Sequence, residues 1–423
     1  MAKLSTIHRG WIAAALFVLS LCAYLYNYRY RIWSAGGDTT PAELLPLALE
    51  RNHSLYFDGL EEPGSWWFYR LNGHLVSGYP IVPGFFNVPA YAIARWQGVP
   101  LDSMHRSMLS MVSASFVVAT SVVVFFLAVS RMVTRRSIAI GATILYAMGT
   151  TAMSVAARGM WQHGPSLLFI TIGLWLFARG DRVSIALAGL PLGFAVFNRP
   201  MNLLLVAPLA LYVLWSHRRV FLPFCAVAAI PAALMAWYSY HYWGTVTTLG
   251  QYPAGNWFLG HFFAGVAGLF FSPSRGLLIF TPPFLFSILM LFAVLARPLR
   301  DPLLTAMSLG IVATITVYAK WYSWWGGYSF GYRLLTELVP FLAILLAVGW
   351  ERYFMKARPN YAILAIAALF AFYVHFLGAF FAPCGFDWIP NSIDQHPERL
   401  WSWTDGELAR CTDRFAERIQ SHF

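Results

Sequence analysis

A single aspartate, Asp38, follows two glycines directly after the first apolar stretch of a chain in which only 11% of residues are charged. Gly36 and Gly37 let the backbone turn tightly and leave the carboxylate uncrowded. Pro41 fits the first turn of a new helix, for which Thr39 or Thr40 is the expected N-cap. We therefore expect Asp38 and its turn to form the reactive site of the chain. The alternative is that Asp38 is itself a helix cap.

A second acidic candidate, Asp58, stands further along the same connection. Asp58 precedes Gly59, which is a normal turn pairing, so turn formation is favoured over a role as a second catalytic acid. The run 42–52 before it is predicted to be an amphipathic helix, with leucines on one face and Glu43, Glu50 and Arg51 on the other. Glu61 and Glu62 are read as a solvated face.

Three arginines, Arg199, Arg275 and Arg333, each stand at the end of an apolar segment. An arginine in such a place is costly unless it faces water, an ion partner or a phosphate. Together they suggest a bound polyanion, such as the phosphate of a lipid-linked donor, and lipid headgroups are the alternative. Arg333 and Glu337 are spaced i, i+4, so an ordinary ion pair is also expected there.

Aromatic and amide side chains near these arginines predict a sugar or acceptor pocket. A ring for stacking and planar polar groups for hydroxyls suit a sugar, although tryptophan and tyrosine are also common membrane-interface anchors. The predicted pocket residues are Tyr79, Trp161, Gln162, His163, Tyr328 and Glu337.

Composition indicates a polytopic membrane protein. Of 423 residues, 59% are hydrophobic and 17% aromatic, and the mean hydropathy is +0.58. The net charge of +11 is explained by cytoplasmic anchors and the arginines above, and no nucleic-acid partner is expected. Cys22 and Cys225 lie in apolar segments, whereas Cys384 and Cys411 flank a polar C-terminal segment and could form a disulfide; their pairing is left open.

Hydropathy predicts an all-α protein with eleven spans, at 11–28, 108–129, 138–155, 165–178, 183–198, 201–215, 220–242, 277–296, 303–319, 334–350 and 361–381. With the N-terminus inside, an uncleaved first helix and segment 82–97 interfacial or re-entrant, each cytoplasmic connection is short and basic. The long polar connections then share the other side. We expect a membrane module over 1–381 and a short extracytoplasmic tail over 382–423.

The chain resembles the GT-C glycosyltransferases, in particular the bacterial branch related to protein O-mannosyltransferases and lipid A aminoarabinose transferases. The resemblance covers about 40–340 and lies in the order and sidedness of loose motifs: Gly37–Pro41, Tyr79–Pro80, Trp161–Pro165, Asn198–Pro200 and Gly331–Glu337. It implies transfer of a sugar from a polyprenyl-phosphate donor to a lipid, glycan or protein acceptor, outside a bacterial cytoplasmic (inner) membrane.

The same resemblance implies a mechanism. Asp38 would be the general base of an inverting displacement, and Arg199, Arg275 and Arg333 would neutralise the departing phosphate. No cofactor or metal is then required, although metal-dependent relatives exist. Two departures leave the acceptor open: Thr39 and Thr40 follow Asp38, and a large soluble C-terminal domain is missing. The alternatives to an enzyme are a transporter of lipid-linked sugars and a non-catalytic assembly partner.

Overall fold

The computed structural model describes residues 6–26, 37–60, 67–246 and 258–420. Ser34 to Gly36 of the first predicted loop, and Glu61 with Glu62, lie outside these ranges. The described chain is helical apart from one two-stranded hairpin, in agreement with the predicted all-α class.

The helices, in chain order, are α1 (Thr6–Tyr26), α2 (Thr40–Arg51), α3 (Val82–Trp96), α4 (Ser103–Met132), α5 (Arg136–Met148), α6 (Thr151–Ser154), α7 (His163–Arg179), α8 (Arg182–Leu187), α9 (Gly189–Asn198), α10 (Leu203–Ser216), α11 (Arg218–Trp243), α12 (Phe262–Phe271), α13 (Leu277–Phe280), α14 (Phe284–Leu295), α15 (Pro302–Ala319), α16 (Val339–Arg352), α17 (Arg358–Phe380) and α18 (Glu407–Gln420). The strands are β1 (Phe68–Leu71) and β2 (His74–Ser77).

Each of the eleven predicted spans corresponds to one helix or to consecutive helices. Seven helical stretches of the described residues are long and apolar enough to cross a membrane. The predicted span 277–296 is divided by Thr281–Pro283 into α13 and α14, because proline interrupts a continuous helix. Helix α12 was not predicted, since ten apolar residues are fewer than a span requires.

Helix α16 is the centre of the bundle. Every residue from Val339 to Trp350 is buried, whereas only 17% of the most apolar stretch of α11 is buried. A helix that is apolar on all sides suits either a buried core or contact with lipid. Helix α16 has the first environment and α11 has the second. A 3-10 turn, Arg333–Leu338, leads directly into α16. The rigid centre of the bundle therefore carries Arg333 and Glu337 at its N-terminal end.

The connection between α1 and α4 has its own small core. Strands β1 and β2 pair antiparallel, with Phe68 opposite Ser77, and their turn at Asn72 and Gly73 has positive φ at both residues, as a type I′ hairpin requires. Leu44, Leu45 and other apolar residues of α2 pack with this hairpin. Segment 82–97 is the helix α3, and the hairpin itself was not predicted.

The C-terminal segment folds back onto the bundle. Cys384 and Cys411 form a disulfide, the pairing that the sequence left open. Helix α18 packs on α17, where Phe415 contacts Phe376 and Phe381. The segment also covers a loop, because Trp325 donates to Asp394 at 2.8 Å. These contacts place it against the stretch that leads to Arg333.

Candidate active site

Asp38 lies in a 3-10 turn, Gly37–Thr39, immediately before α2. Pro41 occupies the first turn of α2, as predicted. Thr39 is at the N-cap position but makes no side-chain cap hydrogen bond; its hydroxyl donates to Glu43 Oε1 at 2.8 Å. A Cβ on Gly37 would lie 2.5 Å from the Trp67 ring, so a glycine is needed for this close approach.

The carboxylate of Asp38 accepts two hydrogen bonds from distant parts of the chain. Tyr79 Oη donates to Oδ1 at 2.8 Å, and the guanidinium of Arg333 donates to Oδ2 at 2.9 Å. Among the described residues, Asp38 accepts no bond from a helix amide. Its side chain is 19% exposed and that of Arg333 is 15% exposed, so the pair is ordered yet remains open to a ligand.

Trp161 completes this cluster. The guanidinium of Arg333 lies over the Trp161 ring, 4.9 Å from its centroid, in a cation–π contact. The first loop, the loop before α7 and the turn before α16 thus meet at one place. Four predicted site residues, Asp38, Tyr79, Trp161 and Arg333, are linked by these contacts.

Arg199, His163 and Glu337 form a buried network next to the cluster. His163 Nδ1 is 2.7 Å from Glu337 Oε1, and Arg199 donates to the same oxygen at 3.3 Å. Arg199 also donates to Tyr318 Oη at 2.8 Å. Because Glu337 is one helical turn beyond Arg333, this network fixes the base of the turn that carries Arg333. The expected i, i+4 pair of Arg333 with Glu337 is replaced by these longer-range contacts.

Arg275 does not contact the Asp38 cluster. Its predicted role in binding the donor phosphate is therefore wrong. Its side chain is 1% exposed and forms ion pairs with Asp387 at 2.7 Å and Glu407 at 2.6 Å. Both acids belong to the C-terminal segment. A guanidinium that is enclosed by two carboxylates has neither the access nor the free charge to bind a phosphate.

Tyr328 lies outside the predicted pocket, whereas the role predicted for the Gln162 side chain stays a prediction. The Tyr328 hydroxyl bonds to Ser392 at 2.7 Å, and its ring stacks on Trp388 with 3.8 Å between centroids. Tyr328 therefore packs against the C-terminal segment. The backbone carbonyl of Gln162 accepts a 2.6 Å bond from Asn198, so Gln162 helps to join the ends of α7 and α9.

Asp58 forms a structural turn, the alternative that the sequence favoured. It accepts hydrogen bonds from His74 at 2.6 Å and from the Leu75 amide at 2.7 Å. Its limited burial would raise its pKa, but these bonds lower the pKa of Asp58 overall. Both partners of its carboxylate lie in the hairpin, and its backbone carbonyl accepts from Asn52 at the end of α2, so Asp58 stabilises the first loop and does not form part of the Asp38 cluster.

Glu43, which the sequence pattern placed on the polar face of an amphipathic helix, is a neighbour of the site. It is buried at 6% exposure, accepts bonds from Thr39 and Ser107, and burial raises the pKa of its carboxyl. The i, i+4 spacing of Thr39 and Glu43 was the available signal for this contact. Glu43 holds the turn of Asp38 against α4.

The described residues thus form a helical bundle with seven candidate membrane spans and a polar cluster where the first loop docks. The apo oligosaccharyltransferase of Archaeoglobus fulgidus has a similar structure, with a TM-score of 0.51 and 11% sequence identity. The match covers 92% of this chain and 60% of that chain. No family model and no curated protein matches the sequence. An identity of 11% establishes the fold alone, so activity has to be argued from the site.

Proposed function

We propose that this chain is a membrane glycosyltransferase that moves a sugar from a polyprenyl-phosphate donor to an acceptor at the extracytoplasmic face of a bacterial cytoplasmic membrane. The observation that carries the proposal is the Asp38–Arg333 pair: a carboxylate and a guanidinium, both partly exposed, at the polar end of the bundle. The similarity in fold to an oligosaccharyltransferase supports the same class of chemistry.

In the proposed step, Asp38 accepts the proton of an acceptor hydroxyl or amine as that group attacks the anomeric carbon. The new bond forms from the acceptor atom to the anomeric carbon, while the bond from that carbon to the phosphate oxygen breaks. The electron pair of the broken bond goes to the lipid phosphate. Attack opposite to the leaving group inverts the anomeric centre. Tyr79, bonded to Oδ1, orients the carboxylate for this step.

Arg333 is assigned two tasks. One N–H donor orients Asp38, and the remaining donors of the guanidinium can bind an oxygen of the departing phosphate. Arg333 Nε is buried and has no hydrogen-bond partner among the described residues. Arg199, which is bonded to Glu337 and Tyr318, is assigned a supporting position behind Arg333. With Arg333 neutralising charge, the proposed step invokes no metal or other cofactor.

Transfer of a radiolabelled sugar from a polyprenyl-phosphate donor, measured with the purified chain in detergent, tests the proposal. Asp38→Asn should lower the transfer rate at least about a hundredfold, because positioned proton transfer contributes that much. Asp58→Asn is the matched control, since it changes another aspartate of the same loop that lies outside the cluster. It should retain nearly the wild-type rate.

Two results would contradict the proposal. One is wild-type turnover by a correctly folded Asp38→Asn variant. The other is movement of the donor lipid across a vesicle membrane without any sugar transfer, which would favour the transporter alternative. A chelator added to the same assay tests the proposed independence from metal, and loss of transfer that Mg²⁺ restores would refute that part.

A further inference from the structure

A cavity with charged and apolar walls lies at the end of the bundle opposite the Asp38 cluster. It has a volume of about 290 Å³ and lies between α14, the start of α15 and the end of α16. Helix α16 is 14 residues long, so the cavity is about 21 Å along the bundle from the turn that carries Arg333. The proposed transfer reaction does not use it.

The cavity has an excess of positive charge. Its lining includes three arginines and one aspartate, namely Arg297, Arg300, Arg352 and Asp301. Arg352 is fixed by Asp301 through two hydrogen bonds of 2.6 and 3.1 Å. Arg297 and Arg300 are exposed, and neither side chain bonds to a described residue. Two guanidinium groups on one short turn are therefore free to bind an anion.

The rest of the lining is apolar and continues onto an exposed helix face. Met290, Ala293 and Val294 of α14 form one wall of the cavity. On the same helix, Leu285, Leu289 and Phe292 are 49%, 48% and 63% exposed. An exposed apolar row on a helix of a membrane protein faces lipid chains. An amphipathic ligand in this cavity would place its polar group beside the arginines and its apolar chain along the exposed face of α14.

We infer that this cavity binds the headgroup of an anionic phospholipid, with the phosphate between Arg297 and Arg300 and an acyl chain along α14. The charge selects the anion, since basic pockets between membrane helices bind acidic lipid headgroups. The apolar wall selects a lipid over a free phosphate. Arg352, held by Asp301, forms the fixed back of the site.

The test is a titration of the full-length chain in neutral detergent with dioctanoyl phosphatidic acid. Arg297→Gln/Arg300→Gln should weaken binding by about tenfold or more. Arg218→Gln/Arg219→Gln is the matched control, because it removes two exposed arginines from the start of α11, outside the cavity. It should bind within about twofold of wild type. Dioctanoyl phosphatidylcholine should show no saturable binding to any of these proteins.

A second variant keeps the charge and removes the space. Ala293→Trp places a large ring in the cavity, and we expect a similar loss of affinity with both arginines intact. Three results would overturn the inference: equal losses in the two double variants, which would indicate diffuse surface charge; displacement of the lipid by inorganic phosphate at equal concentration, which would indicate a simple anion site; and unchanged binding by Ala293→Trp. The thermal unfolding midpoint of each variant, measured without lipid, verifies its fold.

Discussion

Two arginines of this chain form short ion pairs with acids that are distant in sequence, yet their surroundings differ. Arg333 meets one carboxylate, and both side chains are partly exposed. Arg275 meets two carboxylates, and it is enclosed at 1% exposure. Bond lengths differ little between the two, from 2.6 to 2.9 Å. What separates a candidate reactive arginine from a structural one is access and the local balance of charge.

The Arg275 cluster joins the C-terminal segment to the loop that leads to Arg333. Glu407 Oε2 accepts from Arg275 at 2.6 Å and from the Gly331 amide at 2.9 Å. Gly331 is two residues before Arg333. The disulfide fixes the same segment, since Cys411 is one helical turn after Glu407. The enclosed cluster thus supports, at a distance, the partly exposed one.

Removing the enclosed guanidinium should have the largest effect on stability. Arg275→Met would leave Asp387 and Glu407 buried without their cation, which typically costs about 3–5 kcal/mol. We expect a large decrease in the thermal unfolding midpoint in detergent. The matched control is Arg275→Met/Asp387→Leu/Glu407→Met, which replaces the whole cluster with apolar groups and should recover most of the loss. A stable single variant would show that the cluster is not structural.

Arg333→Gln should have the opposite profile, with a large loss of activity and a small loss of stability. An oriented charge that stabilises a transition state is worth about a hundredfold in rate or more, whereas a partly exposed ion pair contributes about 1 kcal/mol or less. Sugar transfer and thermal unfolding, measured on the same preparation, give both values. Arg333→Lys keeps the charge and loses the planar fork, so its transfer rate should lie between those of the wild type and Arg333→Gln. If Arg333→Gln unfolds as readily as Arg275→Met, the comparison fails.

The enclosed cluster should also respond to pH. Burial raises the pKa of Glu407 to about 8 and raises that of Asp387, although Arg275 acts in the opposite direction. Oε2 of Glu407 accepts the two hydrogen bonds described above, so Oε1 can carry the proton. With Glu407 protonated, the negative charge of Asp387 balances the positive charge of Arg275.

The direction of the pH effect follows from this shift. The folded chain keeps a proton on Glu407 that the unfolded chain releases near its ordinary pKa of 4.5. Stability should therefore be greatest at acid pH and should decline as the pH rises toward about 8. The unfolding midpoint measured across this range provides the test. Glu407→Gln, which stays neutral, should flatten the decline, and an unchanged slope in that variant would assign the effect to another group.

Much of the fold could be predicted from the sequence, because apolar length and flanking charge act locally. The sequence also indicated Asp38, Tyr79, Trp161 and Arg333, since each is an unusual residue within two positions of a glycine near a helix end. These four residues meet in space, although their catalytic roles remain predictions.

The partners of Arg275 could not be predicted in this way. Asp387 and Glu407 are 112 and 132 residues further along the chain, and no local sequence pattern relates residues that far apart. Burial of Glu43 was missed for a related reason: a charged residue on an amphipathic pattern is read as exposed, but both faces of α2 are covered. Only tertiary packing decides whether the donors of an arginine are all used by buried acids or remain open to a ligand.

The smallest predicted effect concerns the orientation of Asp38. Tyr79→Phe removes the hydrogen bond to Oδ1 and keeps the ring, and a bond to a charged group contributes about 1.5–3 kcal/mol. We expect a loss of about tenfold or somewhat more in transfer rate, with little change in the unfolding midpoint. Tyr328→Phe is the matched control, because its hydroxyl bonds to Ser392 of the C-terminal segment. Equal losses in the two variants would mean that Tyr328 belongs to the reactive site, and the division between an exposed pair that reacts and an enclosed one that supports it would have to be redrawn.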